Sequence, residues 1–286
     1  MQKSNEELIY VDVGSRWGIN KRINGEKKYD FETFFNEVKY IGFEPDIQEY
    51  NKLKSQKQAN EIYYPYALGI DNKKRPERFY ICKSPDWSSF YIPLKDKCDD
   101  FCTIRDDARV ERFIELSKRR LDDIITDVDF LKVDTEGSER DVLFGSGWLL
   151  DDKVLGVEVE TYFSVMREKH HLFDSIHSIM TRKGFLLFDL DKRKYYRNAS
   201  LMKGKGQMLF GDAIYLKDYK YLTSEKKKEK LVFISMCLGF LDYALTVAND
   251  CENWWIKDEV KKYIKEYDDP SYERKNLHPE YIYWRD

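Results

Sequence analysis

The chain has 286 residues, with 49 Lys and Arg against 52 Asp and Glu and a formal net charge of −3. That length allows one large α/β domain or two small ones, and a hydrophobic fraction of 42% excludes global disorder. The near-neutral balance argues against a duplex nucleic-acid partner, which needs a strongly basic face. Five cysteines, an odd number without framework spacing, read as reduced thiols, and the polar N-terminus shows no secretory signal. The expectation is a cytoplasmic protein. Cys98 and Cys102 are four residues apart, but no second pair or nearby His completes a zinc set.

In chain order, Leu8-Ile9-Tyr10-Val11 is a hydrophobic strand that ends at Asp12-Val13-Gly14. Asp30 is placed to cap a helix that turns Phe31, Phe34, Phe35 and Val38 inward. Val38–Phe43 is a second buried strand ending at Glu44-Pro45, and Asp46 with Glu49 starts a helix like a capping box. Residues 62–68 form a third strand candidate. Residues 73–125 are less regular, with strand-like stretches at 78–82 and 110–116 around a turn-rich loop at 83–93. Residues 128–133 are a strand ending at Asp134, followed by Glu136-Gly137 and a helix from Ser138. Residues 154–159 form another strand, ending at Glu160. A helix follows over 168–182, and residues 185–190 and 213–216 are the last two strands.

Strands alternating with helices give a parallel sheet with right-handed crossovers. The final two strands have no clear helix between them, so the last should enter antiparallel. Residues 231–248 are apolar and follow Lys226-Lys227-Lys228, as a membrane span might. Asp242 interrupts them, and Leu231, Ile234, Leu238, Leu241 and Leu245 recur at helical spacing. A docked helix with Leu238 and Leu241 buried is therefore expected.

Ligands of open α/β sheets bind at the carboxyl ends of the strands, where the strand order reverses. Gly14 lets a ligand approach the backbone there. The dinucleotide fingerprint needs three glycines, and this turn has only Gly14 and Gly18, so a pyrophosphate cradle is disfavoured. Glu44 ends the second strand, where an acid accepts hydrogen bonds from ribose hydroxyls. A solvated Glu before a turn is the plainer alternative, and Gly14 upstream favours the ribose.

In order along the chain stand Asp12-Val13-Gly14, the run from Gly42 to Asp46, Ala67-Leu68-Gly69, the run from Asp129 to Glu139, and Glu158-Val159-Glu160. Together they resemble the FkbM-type methyltransferases, and the KxDxEGxE run (Lys132 to Glu139) is the most specific of them. The resemblance implies a Rossmann-like class I methyltransferase with a seven-stranded, mostly parallel α/β sheet and an antiparallel last strand. It further implies S-adenosylmethionine as cofactor. Carried over by position, Asp12 and Gly14 line the methionine end, Glu44 holds the ribose, and Ala67-Leu68 border the adenine. Ser15, Gly18, Pro45, Asp46 and Asp134 complete the expected cofactor set. Ser15-Arg16-Trp17 departs from the family's small or Asn-containing turn, and residues 19–28 are unusually polar and Lys-rich.

Methyl transfer to a hydroxyl needs alignment and a proton acceptor. Asp134, Glu136 and Glu160 are the catalytic candidates at the sheet's carboxyl edge, with a divalent metal held between Asp134 and Glu160 as an alternative. The plainer alternative is that Glu136 or Glu139 caps the following helix and that Glu158 pairs with a buried Lys or Arg. His170, His171 and His177 fall on the expected 168–182 helix and read as surface or packing residues. Ser88 and Ser89 match a Ser-Ser pair of the family or form an ordinary turn.

The expected function is O-methylation of a sugar or surface-glycan hydroxyl. The acceptor would be a small molecule or glycan, with neither nucleic acid nor a membrane span. A nicotinamide-dependent oxidoreductase is one competing reading, opposed by the missing glycine and the lack of a Tyr-xxx-Lys pair. A non-catalytic module that binds a partner through its aromatic tail, residues 267–284, is the other. The expected division is a methyltransferase domain over 1–222 and a helical extension over 223–286.

Overall fold

The computed structural model describes residues 2–21, 26–70, 75–201 and 204–266. Its main sheet contains β1 (Leu8–Val13), β2 (Val38–Phe43), β3 (Glu61–Tyr64), β4 (Phe130–Val133), β5 (Gly156–Tyr162), β6 (Phe185–Tyr195) and β7 (Gln207–Lys217). The spatial order is β6-β7-β5-β4-β1-β2-β3. Strands β1 to β5 pair in parallel, and β7 runs antiparallel to both β5 and β6. Every residue of β1 and β5 is buried, as expected of central strands covered on both faces. Val13 pairs with Phe43 on one side and Val133 on the other. These three strands therefore finish level, which brings Gly14, Glu44 and Asp134 to one edge at the point where the strand order reverses.

The helices that flank the sheet are α1 (Ile47–Gln56), α2 (Glu139–Gly145), α3 (Phe173–Arg182), α4 (Glu225–Cys237), α5 (Leu241–Asp250) and α6 (Trp254–Glu266). An antiparallel ribbon of Glu77–Cys82 with Val110–Leu116 stands outside the sheet. Val11, Val13, Leu131, Val133, Leu149 and Ile176 belong to one buried layer. On the other side Leu8, Tyr10, Phe31 and Phe35 share a cluster with Leu231, Phe233, Val247 and Val260. The C-terminal helices thus cover a face of the sheet, and Lys230 reinforces them with a 2.9 Å ion pair to Asp129.

Several elements differ from the sequence expectation. The strand expected over 62–68 is divided by Pro65, which has no N–H for a ladder. Ala67–Leu68 instead pairs with Lys118–Arg119. Asp30 caps no helix. Phe31–Thr33 is a single 3-10 turn, and Phe31, Phe34, Phe35 and Val38 are buried without one. The helix expected over 168–182 starts only at Phe173, because the Glu168 N–H is spent on Ile92 O (2.9 Å) and Lys169 has a left-handed φ of 59°. His170 and His171 therefore precede α3.

The apolar stretch 231–248 is two helices, broken at Gly239 with φ 82°. The break turns the expected stripe, so Leu238 and Leu241 are only half-buried. Leu231, Val232, Phe233 and Ile234 are fully buried in their place. Among the described residues no helix is long and apolar enough to cross a membrane. The aromatic stretch 267–284 lies outside the described residues.

Candidate active site

Gly14 has φ 92°, and a Cβ there would lie 1.8 Å from the Asp134 carbonyl oxygen. Any larger residue would therefore force the ends of β1 and β4 apart. Gly14 and Ser15 both donate their N–H groups to Phe43 O (3.0 and 3.1 Å), and Asp134 N–H donates to Val13 O (2.9 Å). The turn is locked by backbone alone. Ser15 Oγ is buried without a partner among the described residues, and Ser15 lines the cavity described below. Gly18 is also left-handed, but a Cβ there would meet only the flexible Lys21 side chain. Asp12 accepts the Asn20 N–H (3.0 Å) and faces Lys132 Nζ (3.5 Å), so its carboxylate holds the loop that follows the turn.

Glu44 is 4% exposed. Its Oε1 accepts the Asp46 N–H (2.8 Å), while Asp46 Oδ1 accepts from Gln48 and Glu49 and caps α1. Glu44 thereby takes the donor that Glu49 would take in a capping box. Burial pushes the Glu44 carboxyl up to about 7, against the pull of the Asp46 N–H and Arg16. Asp46 itself does not line the cavity. Arg16 faces Asp46 and Glu49 at 3.7 and 3.9 Å, and Trp17 Nε1 donates to Asp86 (2.9 Å) in the 85–93 strap over the site.

The acids lie at the other end. Burial opposes ionisation of Asp134, but Lys132, 3.2 Å away, outweighs it and lowers the pKa. Glu136 has a left-handed φ of 58°, unusual for a side chain with a Cβ. Its Oε2 accepts from Arg167 Nη2 (2.7 Å) and Tyr162 OH (3.0 Å). Burial raises Glu136 to about 8, with Arg167 opposing. Glu139 Oε1 accepts the N–H groups of Thr135 and Gly137 (2.9 Å each), so this acid closes the turn and opens α2.

Glu158 and Glu160 share a face of β5 but not an environment. Glu158 pairs with Lys28 (2.5 Å) and accepts from Tyr29 OH. Glu160 is 4% exposed, and its Oε2 has no partner among the described residues. Burial, with Glu136 and Asp134 adding to it, raises its pKa well above the usual carboxylate range.

These groups line one cavity of about 900 Å3, near the upper end for ligand pockets and large enough for two reactants side by side. Asp12, Gly14, Ser15, Gly18, Glu44, Pro45, Ala67, Leu68, Asp134, Glu136 and Glu160 all border it. So do Lys28, Arg193, Tyr195, Phe210 and Trp87, none of which the sequence singled out as site residues. The unusual polarity of residues 19–28 was the one signal that pointed towards Lys28.

Arg167 had no such signal. It is wholly buried and binds Glu136, Trp87 O (2.9 Å) and Tyr91 O (3.3 Å), tying the acidic turn to the strap. The histidines are elsewhere: His171 meets Arg140, His177 meets Tyr215, and His170 lies against Tyr162, none of the three lining the cavity. Ser89 Oγ accepts the Tyr91 N–H in an ordinary turn, and Ser88 Oγ accepts from Cys82 N–H at the cavity wall.

Residues 16–187, more than half of the chain, match the methyltransferase FkbM domain family. Among solved structures, the FkbM methyltransferase of Methylobacillus flagellatus KT is similar at 14% identity and a TM-score of 0.39. The alignment covers 76% of this chain and 45% of that one, so this chain spans about half of that relative's length. A putative RNA methyltransferase from Pyrococcus horikoshii has 9% identity and a TM-score of 0.35, over 73% of this chain and 74% of that one. M. jannaschii TYW2, solved in complex with AdoMet, has 12% identity and a TM-score of 0.33, over 75% and 71%. No curated protein matches the sequence. The extent of the domain match identifies the chain as a member of the FkbM methyltransferase family, with S-adenosylmethionine as its cofactor.

Proposed function

We propose that the protein transfers a methyl group from S-adenosylmethionine to a hydroxyl of a sugar or surface glycan. The observation that supports this is one cavity with two unlike ends. At one end Glu44 would hold the ribose, Ala67 and Leu68 would border the adenine, and Asp12, Gly14 and Ser15 would meet the methionine. The other end combines acids with an aromatic wall in which Tyr195 and Phe210 are 4.6 Å apart, a surface suited to the C–H face of a sugar ring. All five cysteines are free, which suits an enzyme of the cytosol. The helices over 225–266 would act as an extension bound to the methyltransferase core.

In the transfer, an acceptor oxygen attacks the methyl carbon, the carbon–sulfur bond breaks, and S-adenosylhomocysteine leaves. The hydroxyl proton passes to Glu160, whose buried, unpartnered carboxylate oxygen borders the cavity. Asp134, kept ionised by Lys132, would face the sulfonium, and Glu136 would orient the acceptor. Glu160→Gln should bind S-adenosylmethionine almost normally yet lose about 10²–10⁴ in rate, the range for loss of a general base, while Asp134→Asn should lose rate together with some cofactor affinity. Transfer of labelled methyl groups to hydroxyl-bearing saccharides tests this. Near wild-type turnover in both variants would contradict the assignment.

A further inference from the structure

Asp134 and Glu136 in the turn after β4, and Glu160 on β5, each place one carboxylate oxygen within 4.8 Å of the others. Two of the acids are held so that one oxygen stays available. Lys132 takes Asp134 Oδ2 (3.2 Å), while Arg167 and Tyr162 take Glu136 Oε2 (2.7 and 3.0 Å). The third acid supplies an independent observation. Glu160 is 96% buried, points into the cavity, and leaves Oε2 with no donor among the described residues. A buried polar oxygen left without a partner is rare, because it forfeits the water it had in the unfolded chain.

We infer that Asp134, Glu136 and Glu160 form a binding site for a hard divalent cation. The donor set is oxygen only, which selects Mg2+, Ca2+ or Mn2+ over softer metals. Oxygens on one ion can be no farther apart than twice the metal–oxygen distance, about 4.2 Å for Mg2+ and about 4.6–5.2 Å for Ca2+. At the 4.8 Å limit the three oxygens would close by a few tenths of an ångström to hold a Ca2+-sized ion. Lys132, Arg167 and Tyr162 act as the outer groups that orient the ligands.

The role of the ion rests on the methyltransferase reading, although its binding does not. Three protein oxygens leave coordination positions open towards the cavity, and an acceptor with two neighbouring hydroxyls would fill them. Bound by these residues, a divalent ion would supply Lewis-acid activation of the acceptor hydroxyl, whose proton would leave to solvent. The new O–CH3 bond forms as the S–CH3 bond breaks.

Mn2+ is titrated into chelator-treated full-length protein, and free Mn2+ is followed by electron paramagnetic resonance. The expected result is one site per chain, with affinity at least tenfold weaker in Glu160→Gln and in Glu136→Gln. Glu160→Gln unpairs no protein group, so its fold should hold, and S-adenosylhomocysteine calorimetry on the same samples checks this independently. If S-adenosylhomocysteine binds but Mn2+ does not, the cation site is wrong and the methyltransferase reading survives. Equal Mn2+ affinity in wild type and both variants would also overturn the site. Mn2+ binding lost in the variants, in a protein that never binds S-adenosylhomocysteine, would uphold the site and remove the methyltransferase reading.

Discussion

At the Gly14 end of the cavity, two backbone N–H groups share the Phe43 carbonyl, and a glycine lets the ends of β1 and β4 touch. At the Arg167 end, a buried guanidinium holds a left-handed Glu136 and two carbonyls of the strap. The first arrangement uses neutral groups whose geometry the sheet already fixes. The second depends on charges held out of water, where losing one partner leaves the other costly. A site built this way keeps its cofactor end indifferent to local charge and makes its acceptor end responsive to it. Glu44, a buried acid at about 7, and Asp12, which faces Lys132 at 3.5 Å, are the exceptions at the cofactor end.

The comparison breaks most visibly at Arg167. Arg167→Ala should cost about 3–5 kcal/mol in a denaturant titration, the range for removing one member of a buried ion pair. Any folded fraction should still bind S-adenosylhomocysteine within tenfold of wild type, because Arg167 touches nothing at the Gly14 end. Gly14→Ala should do the reverse. Strain at φ 92° and the clash with Asp134 O should cost about 2–4 kcal/mol and abolish cofactor binding, as read by melting and calorimetry. If Arg167→Ala also abolishes cofactor binding, the two ends are not independent.

Smaller effects sharpen the contrast. Glu44→Ala removes the acceptor proposed for the ribose, and charge-assisted hydrogen bonds are worth about 1.5–3 kcal/mol each. Affinity should fall at least tenfold while the melting temperature moves little. The smallest effect is that of pH. Free Glu44 is half-protonated near pH 7, and ribose hydroxyls favour its ionised form. Affinity should therefore level off above pH 7 and fall by up to tenfold for each unit below it. Glu44→Gln should remove that dependence in a calorimetric pH series.

What the sequence made legible follows the same division. The Gly14 turn, Glu44 and the Asp134 to Glu139 run are local, each a few residues at a strand end, so spacing and turn chemistry were enough to find them. The seven strands were readable for the same reason, as apolar runs in alternation with helices, and the antiparallel β7 from the missing helix between the last two. Arg167 was not readable, because its partners Trp87 and Tyr91 are 80 and 76 residues away. The late start of α3 has the same origin, since the backbone ahead of it pairs with the strap at Ile92 and Pro93. Asp46 was assigned to the cofactor on position alone, and its carboxylate caps α1. The C-terminal stripe misled because Gly239 turns the chain and resets the helical phase.

Calorimetric titration of the full-length protein with S-adenosylhomocysteine, and separately with NAD, tests the central claim most directly. The account predicts one S-adenosylhomocysteine per chain, at least tenfold weaker binding in Glu44→Ala, and no binding of NAD. Binding of NAD in place of S-adenosylhomocysteine, or S-adenosylhomocysteine binding untouched by Glu44→Ala in a folded protein, would contradict it.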